Sequence, residues 1–218
     1  MISFLHQFWG KEKSLSIVLI VLSIHLFLVI PLGQEIIVGR IIGFVFYFFL
    51  LTAGLKYVTG GRKNSVLILI AVLSILMLAL RLFFEEAWVD ISSDIFIITY
   101  CSALAWIVLL KTFSKGPITI YRIEGSIVVY LLIGLIFANL YYFIFHIEGL
   151  IAFNGLKAPD IKDFLYFSFT TLTTVGYGDI SPALPFSRSA ANLEALVGQL
   201  YPAILIARLV SMEFINRE

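Results

Sequence analysis

The sequence predicts an all-α integral membrane protein, and three observations support that fold class. Hydrophobic residues make up 61% of the 218 residues, whereas soluble domains are roughly 45–50% apolar. The mean hydropathy is +1.02. The apolar residues are collected in long segments without polar alternation, which fits helices rather than the strands of a membrane barrel.

Six of these segments are long enough to be transmembrane helices, because a bilayer core of about 30 Å takes about 20 helical residues to cross. They cover approximately residues 15–32, 36–58, 65–84, 95–113, 126–147 and 189–212. A shorter apolar stretch lies between the last two, at about residues 163–173. It cannot span, so we expect a re-entrant helix there, with the acidic Asp163 stabilising its N-terminus.

The loops between the segments alternate in charge. The basic loops and ends carry Lys11, Lys13, Lys56, Arg62, Lys63, Lys111, Lys115, Arg122, Arg208 and Arg217. The intervening loops carry Glu35, Glu85, Glu86, Asp90 and Asp94. The positive-inside rule therefore predicts a multi-pass protein of the cell membrane (plasma or bacterial inner membrane) with both termini in the cytoplasm.

Charge and cysteine usage exclude several function classes. A net charge of +1 gives no electrostatic reason to bind nucleic acid, and the single cysteine, Cys101, allows neither an intrachain disulfide nor a thiolate metal cluster. No nucleophile and base form a recognisable pair, so we do not expect an enzyme or a cofactor. Membrane lipids are the expected surroundings of the six segments.

The most informative motif is Thr174–Gly178, which reads TVGYG and directly follows the re-entrant stretch. Successive carbonyls can face one axis only if the backbone alternates between ordinary and left-handed dihedral angles, which Gly176 and Gly178 adopt at little cost. Thr174 adds a hydroxyl oxygen at the inner end. Val175 and Tyr177 must then point away from the axis.

In its context the motif resembles the pore of potassium channels, in which outer helix, pore helix, filter and inner helix follow in this order. The resemblance covers residues 126–212. It implies that Thr174, Val175, Gly176, Tyr177 and Gly178 bind K⁺ as the permeant ion through carbonyl oxygens that replace its water. One filter supplies a quarter of a ring, so the resemblance also implies a homotetramer.

The resemblance divides the chain into three regions. They are an N-terminal transmembrane domain of four helices (1–117), an interfacial linker (118–125) and a potassium channel pore domain (126–218). The first domain is expected not to sense voltage, because the fourth helix has no Arg or Lys between residues 95 and 110. In this it is similar to bacterial six-helix channel proteins that lack sensor charges.

Residues around the filter are assigned by the same resemblance. Tyr166 and Phe167 of the pore helix match aromatic positions that surround the filter, and Tyr166 is expected to donate a hydrogen bond to Asp179. Thr173 precedes the filter. Thr170 stands where some relatives carry a glutamate that pairs with the aspartate, so the bonds of Asp179 are expected to be weaker or differently made.

The sixth segment contains a candidate gating hinge at Gly198 and Pro202. Pro202 donates no amide, and its ring crowds the carbonyl four residues earlier, which belongs to Gly198. Inner helices of the family commonly bend at a matching glycine, although a static kink is the alternative. Glu194 is expected to bond to the pore helix, since a charge facing lipid is costly. Arg208 either lines the inner mouth or reaches lipid phosphates.

The leading functional hypothesis is a passive potassium-selective channel. The alternatives are a pore subunit of a potassium transporter and a non-conducting membrane scaffold with a pore fold. With only six residues after Met212, we expect the gating signal to come from the membrane, pH, voltage on the filter or an unidentified regulatory subunit. His25, Thr52 and Asn139 are expected to be satisfied packing residues, and Arg81 to pair with Glu85.

Overall fold

A computed structural model describes residues 13–33, 37–59, 65–84, 86–113 and 119–215. Several charged residues used to predict the orientation lie outside the described residues. They are Lys11, Glu35, Arg62, Lys63, Glu85, Lys115 and Arg217.

Helices dominate the described part of the chain. In chain order they are α1 (Lys13–Ile24), α2 (Ile30–Gly33), α3 (Ile37–Thr59), α4 (Ser65–Arg81), α5 (Ala87–Thr112), α6 (Ile120–Glu148), α7 (Ile161–Leu172) and α8 (Pro185–Ile215). A π-helical turn, His25–Val29, joins α1 to α2, and a 3₁₀ turn, Gly149–Ala152, follows α6. Two short antiparallel strands, β1 (Phe153–Asn154) and β2 (Ser181–Pro182), pair Phe153 with Pro182.

Within the described ranges, three helical segments are long and apolar enough to cross a membrane: Ala87–Thr112, Ile120–Ala152 and Pro185–Arg208. Three more apolar helices are shorter, at Leu15–Val29, Ile41–Gly54 and Ser65–Arg81. The chain is therefore a helical membrane protein, and six complete spans stay a prediction.

Two helices begin earlier than the hydropathy predicted. α5 starts at Ala87 rather than near residue 95, and α6 starts at Ile120 rather than near residue 126. In α5 the early acids are accommodated because Asp90 and Asp94 pair with Arg81. In α6 the residues from Ile120 onward, expected to form an interfacial linker, continue directly into the long helix.

Two apolar cores position the helices. The larger joins α1, α3, α4 and α5 to one side of α6, with residues such as Leu22, Leu104 and Leu132 fully buried. The smaller surrounds α7, where Tyr141 of α6 and Phe164 of α7 are fully buried. The short helix α7 is thus fixed between α6 and α8.

A charged cluster ties α4, α5 and α6 together at one end. Arg81 Nε lies 2.7 Å from Asp90, and its Nη1 lies 3.5 Å from Asp94. The other oxygen of Asp94 lies 2.7 Å from His146 Nδ1. Arg81 therefore reaches along α5, whereas the partner expected from local spacing, Glu85, lies outside the described residues.

Of the three isolated polar residues that were predicted to have hydrogen-bond partners, two have them within the described part of the chain and one does not. Thr52 donates to the Phe48 carbonyl at 2.9 Å, and Asn139 donates to the Leu135 carbonyl at 2.7 Å, so both are satisfied as predicted. The prediction for His25 is wrong, because neither ring nitrogen has a hydrogen-bond partner among the described residues. Its ring instead packs edge-on against Tyr47, with 4.4 Å between ring centroids.

Candidate functional site

The site begins at the N-terminus of α7, which a capping box fixes. Asp160 is the N-cap residue and accepts a hydrogen bond from the Ile161 amide at 2.6 Å. Asp163 accepts one from the Asp160 amide at 2.9 Å. The expectation that α7 starts near Asp163 was therefore wrong by two residues, because Asp163 closes the capping box from the third helical position.

The C-terminus of α7 holds the start of the TVGYG loop through the main chain. The Thr170 carbonyl accepts from the Val175 amide at 2.9 Å and from the Gly176 amide at 3.1 Å. The Thr174 amide donates to Thr171 at 2.9 Å. The Thr173 hydroxyl donates to the Phe169 carbonyl at 2.6 Å. The loop thus leaves the helix in a fixed direction.

The loop itself alternates in backbone conformation. Thr174, Gly176 and Gly178 have φ values of +59°, +55° and +81°, while Val175 and Tyr177 have no positive φ. The left-handed glycines were predicted from the sequence, and the left-handed Thr174 was not. This alternation lets successive carbonyl oxygens turn to the same side.

The aromatic residues of α7 divide between two surroundings. The Tyr166 hydroxyl interacts with the Asp179 carboxylate, and this interaction raises the pKa of Tyr166. Its ring is parallel to that of Tyr177 at 6.2 Å. Phe167 is buried on the opposite side, 4.9 Å from the Tyr141 ring. Tyr166 is therefore the member of this pair that reaches the outer end of the loop.

Thr170 contributes to the site through its carbonyl rather than its side chain. Its hydroxyl donates to the Phe167 carbonyl of the same helix at 3.0 Å. A threonine at this position thus satisfies itself locally, and the contact to Asp179 described above comes from Tyr166.

Behind α7, a buried carboxylate joins three helices. Glu194 of α8 accepts from the Tyr141 hydroxyl of α6 at 2.6 Å and from the Ser168 hydroxyl of α7 at 2.5 Å. Ser168 also contacts the Gly134 carbonyl at 2.7 Å. The prediction that Glu194 bonds to the pore helix is confirmed. The role of Tyr141 was missed, because its position 53 residues away gives no local signal.

Gly198 lies against the last residue of α7. A Cβ added at Gly198 would overlap the Leu172 carbonyl oxygen, so only glycine allows this approach. The same carbonyl accepts a hydrogen bond of 3.3 Å from Tyr130. α8 continues unbroken through Pro202 to Ile215. This packing requirement was not foreseen when Gly198 was predicted as a hinge.

A second glycine closes the outer end of the loop. Gly155 follows β1 with φ of +88°. A Cβ there would overlap the Asp179 carbonyl oxygen. The β1–β2 pairing holds the two connecting segments together next to this contact. The motif is therefore flanked by close main-chain approaches at both ends.

The loop side chains have little cover within one chain. Val175 is 53% exposed and Tyr177 is 72% exposed. Arg208 is also exposed, on the far half of α8. Val175 and Tyr177, which are predicted to point away from the axis, are thus largely uncovered within one chain.

Comparisons with known proteins find similarity in the region that contains the TVGYG loop. Residues 126–214 match the family described as "Ion channel". Protein LctB of Bacillus caldotenax is 46% identical over 50 residues, which are 23% of this chain and 37% of that protein. Protein LctB of Geobacillus stearothermophilus is 44% identical over 56 residues, 26% of this chain and 41% of that protein.

A plant relative is also similar. Two-pore potassium channel 5 of Arabidopsis thaliana is 34% identical over 59 residues, 27% of this chain and 14% of that protein. The matched segments thus span less than half of each of these relatives. No solved structure matches the chain significantly. Residues 126–214 are therefore an ion-channel domain, and the resemblance to potassium channels predicted from the TVGYG motif is confirmed.

Proposed function

We propose that the protein is a potassium-selective channel that conducts K⁺ passively through a ring of four TVGYG loops. The observation that carries this proposal is the alternation of φ at Thr174, Gly176 and Gly178. It gives the main chain the conformation in which consecutive carbonyls replace the hydration shell of an ion. In this assignment Thr174, Val175, Gly176, Tyr177 and Gly178 are the K⁺ ligands.

A homotetramer follows from the same assignment. One chain supplies one loop, and closing a ring of carbonyls takes four copies around an axis. The exposure of Val175 and Tyr177 supports this, since these side chains need neighbours to hold the loop open. The exposed apolar residues Leu193, Leu196 and Leu200 of α8 offer further surface for such packing.

We further infer six spans with both termini in the cytoplasm, four helices that do not sense voltage, and a gate near Gly198 and Pro202. The span assignment rests on six apolar helices, of which three are long enough by themselves. The gate assignment rests on the proline inside α8. Pro202→Ala is expected to alter the open fraction several-fold while K⁺ selectivity stays the same.

Flux measurement tests the proposal. The full chain in liposomes is expected to pass K⁺ but not Na⁺, in single-channel steps when reconstituted in planar bilayers. Gly176→Ala, which forces a side chain onto a left-handed backbone, is expected to abolish selective flux. Ala183→Gly outside the loop serves as the control. Selective flux that survives Gly176→Ala, or a monomer in native lipid, would overturn the proposal.

The rival functions give different results in the same experiment. A transporter subunit would show slow, saturable uptake without current steps. A scaffold would give well-folded tetramers in silent bilayers.

A further inference from the structure

A cavity of about 400 Å³ lies between the N-terminal helices and the start of α7. Its wall is formed by α3, α4 and α5 on one side, and by α6 and the Pro159–Ile161 segment on the other. This volume falls in the range of small-molecule sites, roughly 300–1,000 Å³. None of the residues of the TVGYG loop line it.

The charge of the lining favours a cation. Asp90 and Asp160 line the cavity with carboxylates, and Arg81 provides a guanidinium. Arg81 is already engaged with Asp90 at 2.7 Å and lies 5.1 Å from the Tyr142 ring centroid. Asp94, fully buried behind it, adds a further carboxylate shared with His146. Carboxylates therefore outnumber guanidinium groups in and behind this wall.

The rest of the wall is apolar and aromatic, with two buried polar groups, His25 and Asn139. Phe44, Tyr47 and Phe84 contribute aromatic rings to the wall, and aromatic rings can attract an organic cation. The His25 ring also lines the cavity, is 0% exposed, and has no hydrogen-bond partner within the described ranges. A buried polar group without a partner is costly, so a hydrogen-bond donor placed beside this ring would lower that cost.

Gly43 marks where the space is open. It lines the cavity from α3, and a Cβ added there meets no atom within 4 Å. A side chain can therefore be added at this position without a clash at its Cβ. In a helix, replacing glycine by a residue with a side chain also reduces the conformational entropy that is lost on folding.

We propose that this cavity binds a small organic monocation, an ammonium group attached to an aromatic or branched apolar body. The ammonium lies against Asp90 and Asp160, and the apolar body lies among the rings of Phe44, Tyr47 and Phe84. The site is separate from the proposed K⁺ path, and its test does not depend on conduction.

The test is a binding measurement on the full chain in nanodiscs, by calorimetry or saturation-transfer NMR. The probe is 2-phenylethylammonium, compared with the neutral 2-phenylethanol and the anionic phenylacetate. We expect the cation to bind and the other two to bind at least about tenfold more weakly. Absence of binding by the cation, or equal binding of all three compounds, would overturn the proposal.

Variants locate the site. Gly43→Leu is expected to weaken binding of the cation by about tenfold or more, by filling the cavity. Asp160→Asn, which preserves the helix cap, and Asp90→Asn are each expected to weaken it several-fold. Val45→Leu, on an exposed position of the same helix, is the matched control and should change nothing. If Gly43→Leu fails to fold, the two asparagine variants decide, and unchanged affinity in both contradicts the proposal.

Discussion

The carboxylate of Glu194 accepts a 2.6 Å hydrogen bond from the Tyr141 hydroxyl, although the two residues are 53 positions apart in sequence and lie on different helices. Its second oxygen accepts from Ser168. Three helices thus meet at one buried acid directly behind the helix that supports the loop. Because the acid has two hydrogen-bond donors, its burial against α7 is compensated.

Removing this acid is expected to destabilise the protein. Glu194→Ala leaves the buried Tyr141 hydroxyl without its acceptor, which costs roughly 1–3 kcal/mol, whereas Ser168 keeps the Gly134 carbonyl as an acceptor. Glu194→Gln keeps an acceptor and should cost less. Thermal unfolding in detergent measures both. Asn192→Ala, on the exposed side of the same turn, is the control, and an equal effect there would contradict the prediction.

Gly198→Ala is expected to displace the C-terminus of α7. The new Cβ would overlap the Leu172 carbonyl oxygen, and that contact is to main chain, which cannot rotate away. We expect loss of K⁺ flux in liposomes together with lower thermal stability. Gly43→Ala is the matched control, since its Cβ meets no atom within 4 Å. That change should leave flux intact and stabilise α3 by about 0.5–1 kcal/mol. Normal K⁺ flux in the Gly198→Ala variant would show that the close contact between Gly198 and Leu172 is not required for conduction.

Tyr166→Phe tests the outer end of the loop. The change removes the hydroxyl that bonds to Asp179 but keeps the ring that lies parallel to Tyr177. Since the interaction of the hydroxyl with Asp179 is lost, we expect conduction to decay faster during a sustained K⁺ gradient, with the fold unchanged. Current recordings follow the decay, and circular dichroism checks the fold. Tyr121→Phe, on the far end of α6, serves as the control. An unchanged decay would argue that Asp179 is held by other contacts.

Replacing Asp94 is expected to destabilise the protein more than replacing the neighbouring Asp90. Asp94 is 0% exposed and serves both Arg81 and His146. Its replacement by alanine is expected to cost several kcal/mol, up to the roughly 3–5 kcal/mol that breaking a buried ion pair costs. The ion pair that Arg81 keeps with Asp90 reduces this loss. Asp90→Ala removes a partly exposed partner and should cost about 1 kcal/mol or less. Denaturation midpoints compare the two, and equal losses would contradict the difference in burial.

Local patterns predicted the parts of the site that depend on local physics. Hydropathy found the helices, and the glycine spacing predicted left-handed backbone at Gly176 and Gly178. Each of these depends on residues close in the chain. The start of α7 was placed two residues late because Asp163 was considered without Asp160, its partner in the capping box.

Contacts between distant segments gave no signal in the sequence. Gly198 was assigned to a hinge from the proline four residues later, whereas its close contact is with Leu172 of another helix. His25 was expected to be satisfied, but the side chains around it are mainly apolar and aromatic. Arg81 has partners one helix away in Asp90 and Asp94. These arrangements depend on how helices pack, which spacing along one segment does not encode.

The approaches at Gly155 and Gly198 set a condition for engineering. At each position the glycine lies directly against a carbonyl oxygen next to the TVGYG loop. Gly155 contacts that of Asp179, and Gly198 contacts that of Leu172. A graft of the five motif residues onto a foreign two-helix scaffold would therefore fail unless the host also left both positions without a side chain. In a saturation scan, these two glycines should tolerate as few substitutions as the motif itself.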